Sequence, residues 1–226
     1  ILGWLYTIPI ATTNNRTLNP DFKWQNIGSV LLGVHYNYFI NPSYTFSFNF
    51  WWHNTKIEYK ESNTDGSVAF FHQESQNWLK FPLLLKFSNP EKMSWLKDNE
   101  DLAAQWFVQA GLSVNVITSA KANISVPTQG LTLTNFNVID GRNPVNADLL
   151  LGIGSKFRFG RNYITVGFNG TLGLKEVLKQ GAVGSNETEI YRQYHILENN
   201  YKTLSGFYSV TYEVIFNKLK KKYRVN

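Results

Sequence analysis

The sequence predicts an all-β protein, an eight-stranded antiparallel up-and-down transmembrane β-barrel, and three observations predict it. Residues 44–53 read Tyr-Thr-Phe-Ser-Phe-Asn-Phe-Trp-Trp-His, so Tyr44, Phe46, Phe48, Phe50 and Trp52 share one strand face while Thr45, Ser47, Asn49 and His53 share the other. Such an unbroken aromatic row suits a lipid-facing wall better than a core, where its bulk would have to interdigitate with a second layer. No stretch approaches the roughly 20 apolar residues of a membrane-spanning helix, which leaves spanning to closed strands of about 10 residues. Two of the three connections at one end of the strands are very short, whereas those at the other end are mostly longer and polar, which matches short periplasmic turns and long outer loops, and the strand count is even, as a single-chain barrel requires.

Each strand follows from a period of two bounded by turn residues. The first sets Leu2, Trp4, Tyr6, Ile8 and Ile10 against Gly3, Leu5, Thr7 and Pro9, the proline weakening it by one ladder donor. The second, near residues 26–40, points Leu32, Val34, Tyr36, Tyr38 and Ile40 outward and Gly33, His35 and Asn37 inward, and ends at the turn Asn41-Pro42-Ser43. The aromatic strand is third and continues through a more polar stretch to Tyr59 and the loop Asn63-Thr64-Asp65-Gly66. The fourth directs Leu79, Phe81, Leu83, Leu85 and Phe87 to lipid and Lys80, Pro82, Leu84, Lys86 and Ser88 inward, followed by a turn from Asn89 to Leu102 long enough for a short helix.

The fifth strand has Trp106, Val108, Ala110, Leu112, Val114 and Val116 outward, and a polar loop is expected from about Ser119 to Asn146. The sixth opposes Leu149, Leu151, Ile153, Phe157 and Phe159 to Asp148, Gly152, Gly154, Lys156 and Arg158. The turn Gly160-Arg161-Asn162 then leads into the seventh, with Ile164, Val166, Phe168, Leu172 and Leu174 outward. After a loop near 176–199, the eighth puts Tyr208, Val210, Tyr212, Val214 and Phe216 outward against Ser205, Ser209, Thr211 and Glu213. The lipid-facing set is thus represented by Phe46, Phe48, Phe50, Trp52, Phe81, Leu83, Leu85, Tyr208 and Tyr212.

No linker divides the 226 residues, so residues 1–217 form one barrel domain and 218–226 a basic periplasmic tail. The absence of cysteine excludes thiolate metal sites, disulfides and cysteine nucleophiles. Tyr, Phe and Trp make up 15% of the chain against 17% charged residues, a balance suited to interfacial aromatic girdles. The net charge of +6 comes from scattered Lys and Arg without a nucleic-acid motif, so anionic lipid heads, not nucleic acid, are the expected counter-charges. The first residues carry no basic, cleavable hydrophobic signal, as expected of a mature form.

An eight-stranded barrel is just wide enough for side chains to fill, so inward charges must pair with one another. The register places His35, His53, Lys80, Lys86, Asp148, Lys156, Arg158 and Glu213 inside as a structural network, and inward glycines make room for long side chains. None of the four histidines has metal-site spacing, and no cofactor is expected. His35 and His53 on adjacent strands are the basis of an alternative reading as a lipid-modifying outer-membrane enzyme, which needs a nucleophile, base and orienter to meet. Met93, Trp95 and Leu96 form an apolar cluster in a turn that would otherwise be polar, a candidate partner contact.

The run Asn77-Trp78-Leu79-Lys80-Phe81-Pro82-Leu83-Leu84-Leu85-Lys86-Phe87 resembles a strand of the PorT-like small outer-membrane barrels of Bacteroidota, with further similarity at Ala110-Gly111-Leu112, at 148–154 and at 170–174. The resemblance covers roughly residues 26–216. It implies an eight-stranded barrel without cofactor or catalytic residues, some relatives being accessory parts of the type 9 secretion and gliding apparatus. The chain departs from the usual pattern in not ending on an aromatic residue.

The resulting expectation is a non-enzymatic integral protein of the bacterial outer membrane with periplasmic termini. It would touch outer-membrane lipids and lipopolysaccharide, and act as a scaffold or accessory subunit among other envelope proteins. A soluble lipocalin-like carrier is the further alternative, since its barrel points the apolar face inward.

Overall fold

A computed structural model describes residues 2–11, 24–89, 102–159, 162–177 and 201–214. Among these the secondary structure is nine strands and two single turns of 3-10 helix, with no α-helix. The strands are β1 (Leu2–Ala11), β2 (Trp24–Phe39), β3 (Tyr44–Ser62), β4 (Val68–Ser88), β5 (Leu102–Val126), β6 (Leu131–Asn137), β7 (Val145–Phe159), β8 (Asn162–Gly173) and β9 (Tyr201–Val214). The turn at 90–101 with Met93, Trp95 and Leu96, most of the 176–199 loop, and the 218–226 tail lie outside the described residues.

Eight of the strands pair in the ring order β4-β3-β2-β1-β9-β8-β7-β5, and β5 pairs back onto β4. The ring is therefore closed and antiparallel throughout, with every strand paired on both sides, the architecture of an outer-membrane β-barrel. Pro9 of β1 is accommodated where β1 is paired only to β9, at Thr203, because the β1–β2 ladder spans only Leu2–Trp4. Pro82 interrupts the β3–β4 ladder between Phe48–Leu83 and Trp51–Lys80, and there the Asn49 side-chain amide donates to the Pro82 carbonyl at 3.3 Å.

Polarity sorts by face. On β4 the burial alternates without a slip from His72 to Ser88, and outward Phe81, Leu83 and Leu85 are 41–48% exposed while Lys80, Leu84 and Lys86 are buried. Phe48, Phe50, Trp52, Tyr208 and Tyr212 are likewise on the exposed face, and Phe46 is half-buried edge-on against Phe48 at 4.7 Å. A lipid carrier would need the opposite polarity, since its apolar face must line the cavity.

The apolar outer band ends abruptly. On β4 it runs from Phe87 to Leu79 and gives way to Asn77, Ser75 and Gln73. On β3 it stops at Trp52 before Asn54 and Lys56, and on β5 at Val116 before Thr118 and Lys121. Beyond that level the strands continue as a sheet outside the lipid band. Its inner face carries an apolar cluster, with Ile57, Trp78, Ile117, Ala120, Ala122 and Ile124 buried together beside the buried polar His72, Glu74 and Gln76 of β4.

This overturns the polar loop expected from Ser119 to Asn146. β5 continues to Val126, a 3-10 turn at Pro127–Gln129 and Gly130 at φ 66° reverse the chain, and β6 returns along β5. A bulge opposite Asn77–Trp78 passes over Thr118 and shifts the alternation by one residue, so the inward set changes from odd to even positions. A second 3-10 turn, Ile139–Gly141, then lays Val138 and Arg142 over the end of the barrel, where Val177 joins them.

The ends are distinct. The strand ends Phe39, Tyr44, Ser88, Leu102, Phe159 and Asn162 lie at one end, here the turn end, with Leu2 and Val214 toward it; Ala11, Trp24, Ser62, Val68, Val126, Val145, Gly173 and Tyr201 lie toward the loop end.

Candidate functional site

The interior is organised in layers along the barrel axis, and period-two alternation on each strand puts the layers there. In the middle, Leu31, Trp51, Leu84, Leu150 and Phe207 meet as a fully buried apolar septum, Trp51 and Phe207 packing edge to face at 5.6 Å. Gly33 lies opposite Trp51 in the β2–β3 ladder, and a methyl group there would overlap the Trp51 ring and the Phe50 carbonyl. Gly154 gives the same room to the ring of Phe107.

On the loop side of the septum, Lys80 Nζ donates to Asp148 Oδ2 at 2.9 Å. His53 Nε2 and the Thr55 hydroxyl are 2.6 Å apart, while His53 Nδ1 has no hydrogen-bond partner. His53, Thr55, Gln76, Lys80, Asn115 and Asp148 border a cavity of about 20 Å³. That is room for roughly one water, and nothing larger.

Above it, Arg142 bridges both oxygens of Glu74, Gln76 Nε2 donates to Glu74 Oε1 at 2.8 Å, and His72 Nε2 lies 3.9 Å from Glu74 Oε2. Arg142, Glu74 and His72 are essentially inaccessible. Asn143 ties this cap to the chain leaving β8, its backbone N–H to the Val177 carbonyl at 2.8 Å and its side chain to the Glu176 carbonyl at 2.7 Å.

On the turn side, Glu213 is the hub. Lys156 Nζ donates to Oε2 at 2.7 Å, Thr165 to Oε1 at 2.8 Å and Asn37 Nδ2 to Oε2 at 3.2 Å, with His35 Nε2 3.9 Å away. Lys156 also stands over the Tyr163 and Phe39 rings, and Lys86 over Phe107 at 4.7 Å. Arg158 faces Tyr163 in the β7–β8 register and makes a side-chain hydrogen bond with it.

The eight inward residues singled out in the sequence therefore divide between two separate groups. Lys80, Asp148 and His53 lie on the loop side, and His35, Lys86, Lys156, Arg158 and Glu213 on the turn side. His35 and His53 do not share a site: His53 pairs with Leu31 and His35 with Asn49, and the Gly33–Trp51 pair, with the Trp51 ring in the septum, lies between them. Sequence reasoning missed Glu74 and Arg142, which lie 68 positions apart, and the septum residue Phe207. Phe207 was findable, since it has the parity of inward Ser205 and Ser209, whereas nothing local marks Arg142.

No protein-family model matches the chain, and no curated protein does. Among solved structures, the crystal structure of the outer membrane enzyme PagL matches with a TM-score of 0.38 and 11% sequence identity, over 92% of this chain and 96% of that one.

Proposed function

We propose that this protein is a non-enzymatic, non-conducting barrel of the bacterial outer membrane that serves as a scaffold or accessory subunit among other envelope proteins, its turn end in the periplasm. The observation that carries this reading is the septum of Leu31, Trp51, Leu84, Leu150 and Phe207, which fills the middle of the barrel among the described residues, with a cavity of about 20 Å³ on its loop side. Binding then falls to the surfaces outside the interior, and among the described residues the β3–β6 sheet that stands clear of the lipid band is one such surface.

A groove of about 580 Å³ in the outer wall is bordered by Leu85, Phe87, Val108, Ala110, Phe168 and Gly170, with Tyr44 and Gln109 as its polar groups and no histidine or carboxylate. The resemblance of residues 77–87 to PorT-like barrels supports an accessory role, in secretion of the type 9 kind or a similar envelope process.

The test is a pull-down on this chain after mild detergent extraction of native membranes. Stoichiometric recovery of other envelope proteins is the expected result. A barrel recovered alone, or step conductances when the purified protein is added to planar bilayers, would overturn the proposal.

A further inference from the structure

Where the outer wall leaves the lipid band, its strands present an ordered polar face. The last apolar row across β3, β4 and β5 is Trp52, Leu79 and Val116. The next is Asn54, Asn77 and Ser119, and the one beyond is Lys56, Ser75 and Lys121, each row paired strand to strand. Residues directly opposite in an antiparallel ladder share a face, so both lysines project outward with the small Ser75 between them. Both are exposed, and two strand spacings put their backbones about 10 Å apart.

The surroundings leave these two charges without an answer and hold the floor between them still. Among the described residues neither ammonium has an ion-pair partner. Glu58, the next residue along this face of β3, is buried and accepts from Gln73 at 3.5 Å. Asn54 Nδ2 donates to Asn77 Oδ1 at 2.7 Å and to Ser75 Oγ at 3.3 Å, and Asn123 Nδ2 to Gln73 Oε1 at 3.4 Å. Two cations fixed side by side repel, and an anion seated above Ser75 converts that repulsion into attraction on both sides.

Height selects the source of the anion. Lys56 stands four residues beyond Trp52, about 13 Å along the strand and about 10 Å above the band at a tilt of roughly 40°. Phospholipid headgroups occupy only about 5–8 Å beyond the hydrocarbon. A phosphate carried on a saccharide reaches higher, and the flanking amides both donate to and accept from sugar hydroxyls.

We infer that Lys56, Ser75 and Lys121 form a docking site on the outer wall for a phosphate of the saccharide headgroup of lipopolysaccharide. The phosphate oxygens accept from the two ammonium groups and the Ser75 hydroxyl, and sugar hydroxyls exchange hydrogen bonds with the Asn77 and Asn123 amides. The inference rests on the outward orientation of the loop end in the proposed function, and not on the accessory role.

The experiment titrates the full chain, in an uncharged detergent, with deep-rough lipopolysaccharide and with the same lipid after phosphatase treatment, reading affinity by thermophoresis. Binding of the phosphorylated form should weaken about tenfold or more in Lys56→Met/Lys121→Met and in Ser75→Glu, which sets a fixed carboxylate between the lysines. It should be kept in Lys56→Arg/Lys121→Arg. Equal affinity in the methionine variant, equal affinity for the dephosphorylated lipid, or displacement by equimolar phosphatidylglycerol overturns the inference. Labelling of Thr64→Cys on intact cells by a membrane-impermeant maleimide tests the orientation separately. A labelled loop supports it, and an unlabelled loop overturns it together with the choice of occupant, whatever the titration gives.

Discussion

Arg142 grips Glu74 with two prongs, Nε to Oε1 at 2.9 Å and a terminal guanidinium nitrogen to Oε2 at 2.6 Å, and both side chains are out of reach of solvent. The pair joins the loop after β6 to the inner wall of β4 and so holds the cap on the loop end. Burying two charges is repaid only while both remain. Arg142→Met is expected to cost about 3–5 kcal/mol, the range for removing one partner of a buried pair. The double variant Arg142→Met/Glu74→Leu should lose less than either single one. Urea unfolding of the three variants in detergent checks this, and additive losses would show the two residues to be uncoupled.

The boundary of the lipid band is testable on a single strand. Leu83 sits midway along the outward apolar run of β4, whereas Asn77 points outward just past its end. Leu83→Arg should destabilise the barrel by about 2–4 kcal/mol in a phospholipid bilayer, and Asn77→Arg by no more than about 0.5 kcal/mol. Equal costs at the two positions would show that the band is misplaced.

Gly33 faces Trp51 so closely that an added methyl meets both the indole ring and the backbone oxygen of Phe50. The ring can turn; the backbone cannot. Gly33→Ala should therefore cost about 1–3 kcal/mol through overpacking, and Gly33→Ala combined with Trp51→Ala should lose less than the sum of the two single variants, because the ring is then no longer there to clash. Folding yield and unfolding midpoint in detergent report the effect.

In the loop between β3 and β4, the Ser67 hydroxyl and backbone N–H both donate to Asp65 Oδ1, at 2.6 and 2.9 Å. These bonds favour the carboxylate, the hydroxyl most, and hold its pKa below the ordinary value. A depressed pKa stabilises the loop above the unfolded-state value, and the benefit fades as pH falls through the folded value. The Asp65 carboxyl resonance should titrate below that of a free aspartate, and Ser67→Ala should move its midpoint upward.

Within the lipid band the sequence by itself determined which side chains face out, because lipid and a crowded lumen impose opposite polarities on alternate residues. The runs 44–52, 79–87 and 204–214 each read directly as a wall. The charged residues of the lumen within the band were legible, and their partition was not. Lys80 pairs with Asp148 and Lys156 with Glu213 across an apolar septum, choices set by which strands close the ring and at what stagger.

Tertiary structure alone decided the region from Ser119 to Asn146. Outside the membrane, water replaces lipid on the outer face, so Thr118, Lys121 and Asn123 face outward and Ile117, Ala120, Ala122 and Ile124 inward, the reverse of the pattern below them. The bulge at Thr118 changes the phase at the same point. A stretch whose polarity inverts and whose period slips reads as loop to any test of alternation. Only its pairing with β4 and β6, and the contact of Arg142 with a residue 68 positions away, make it strand and cap.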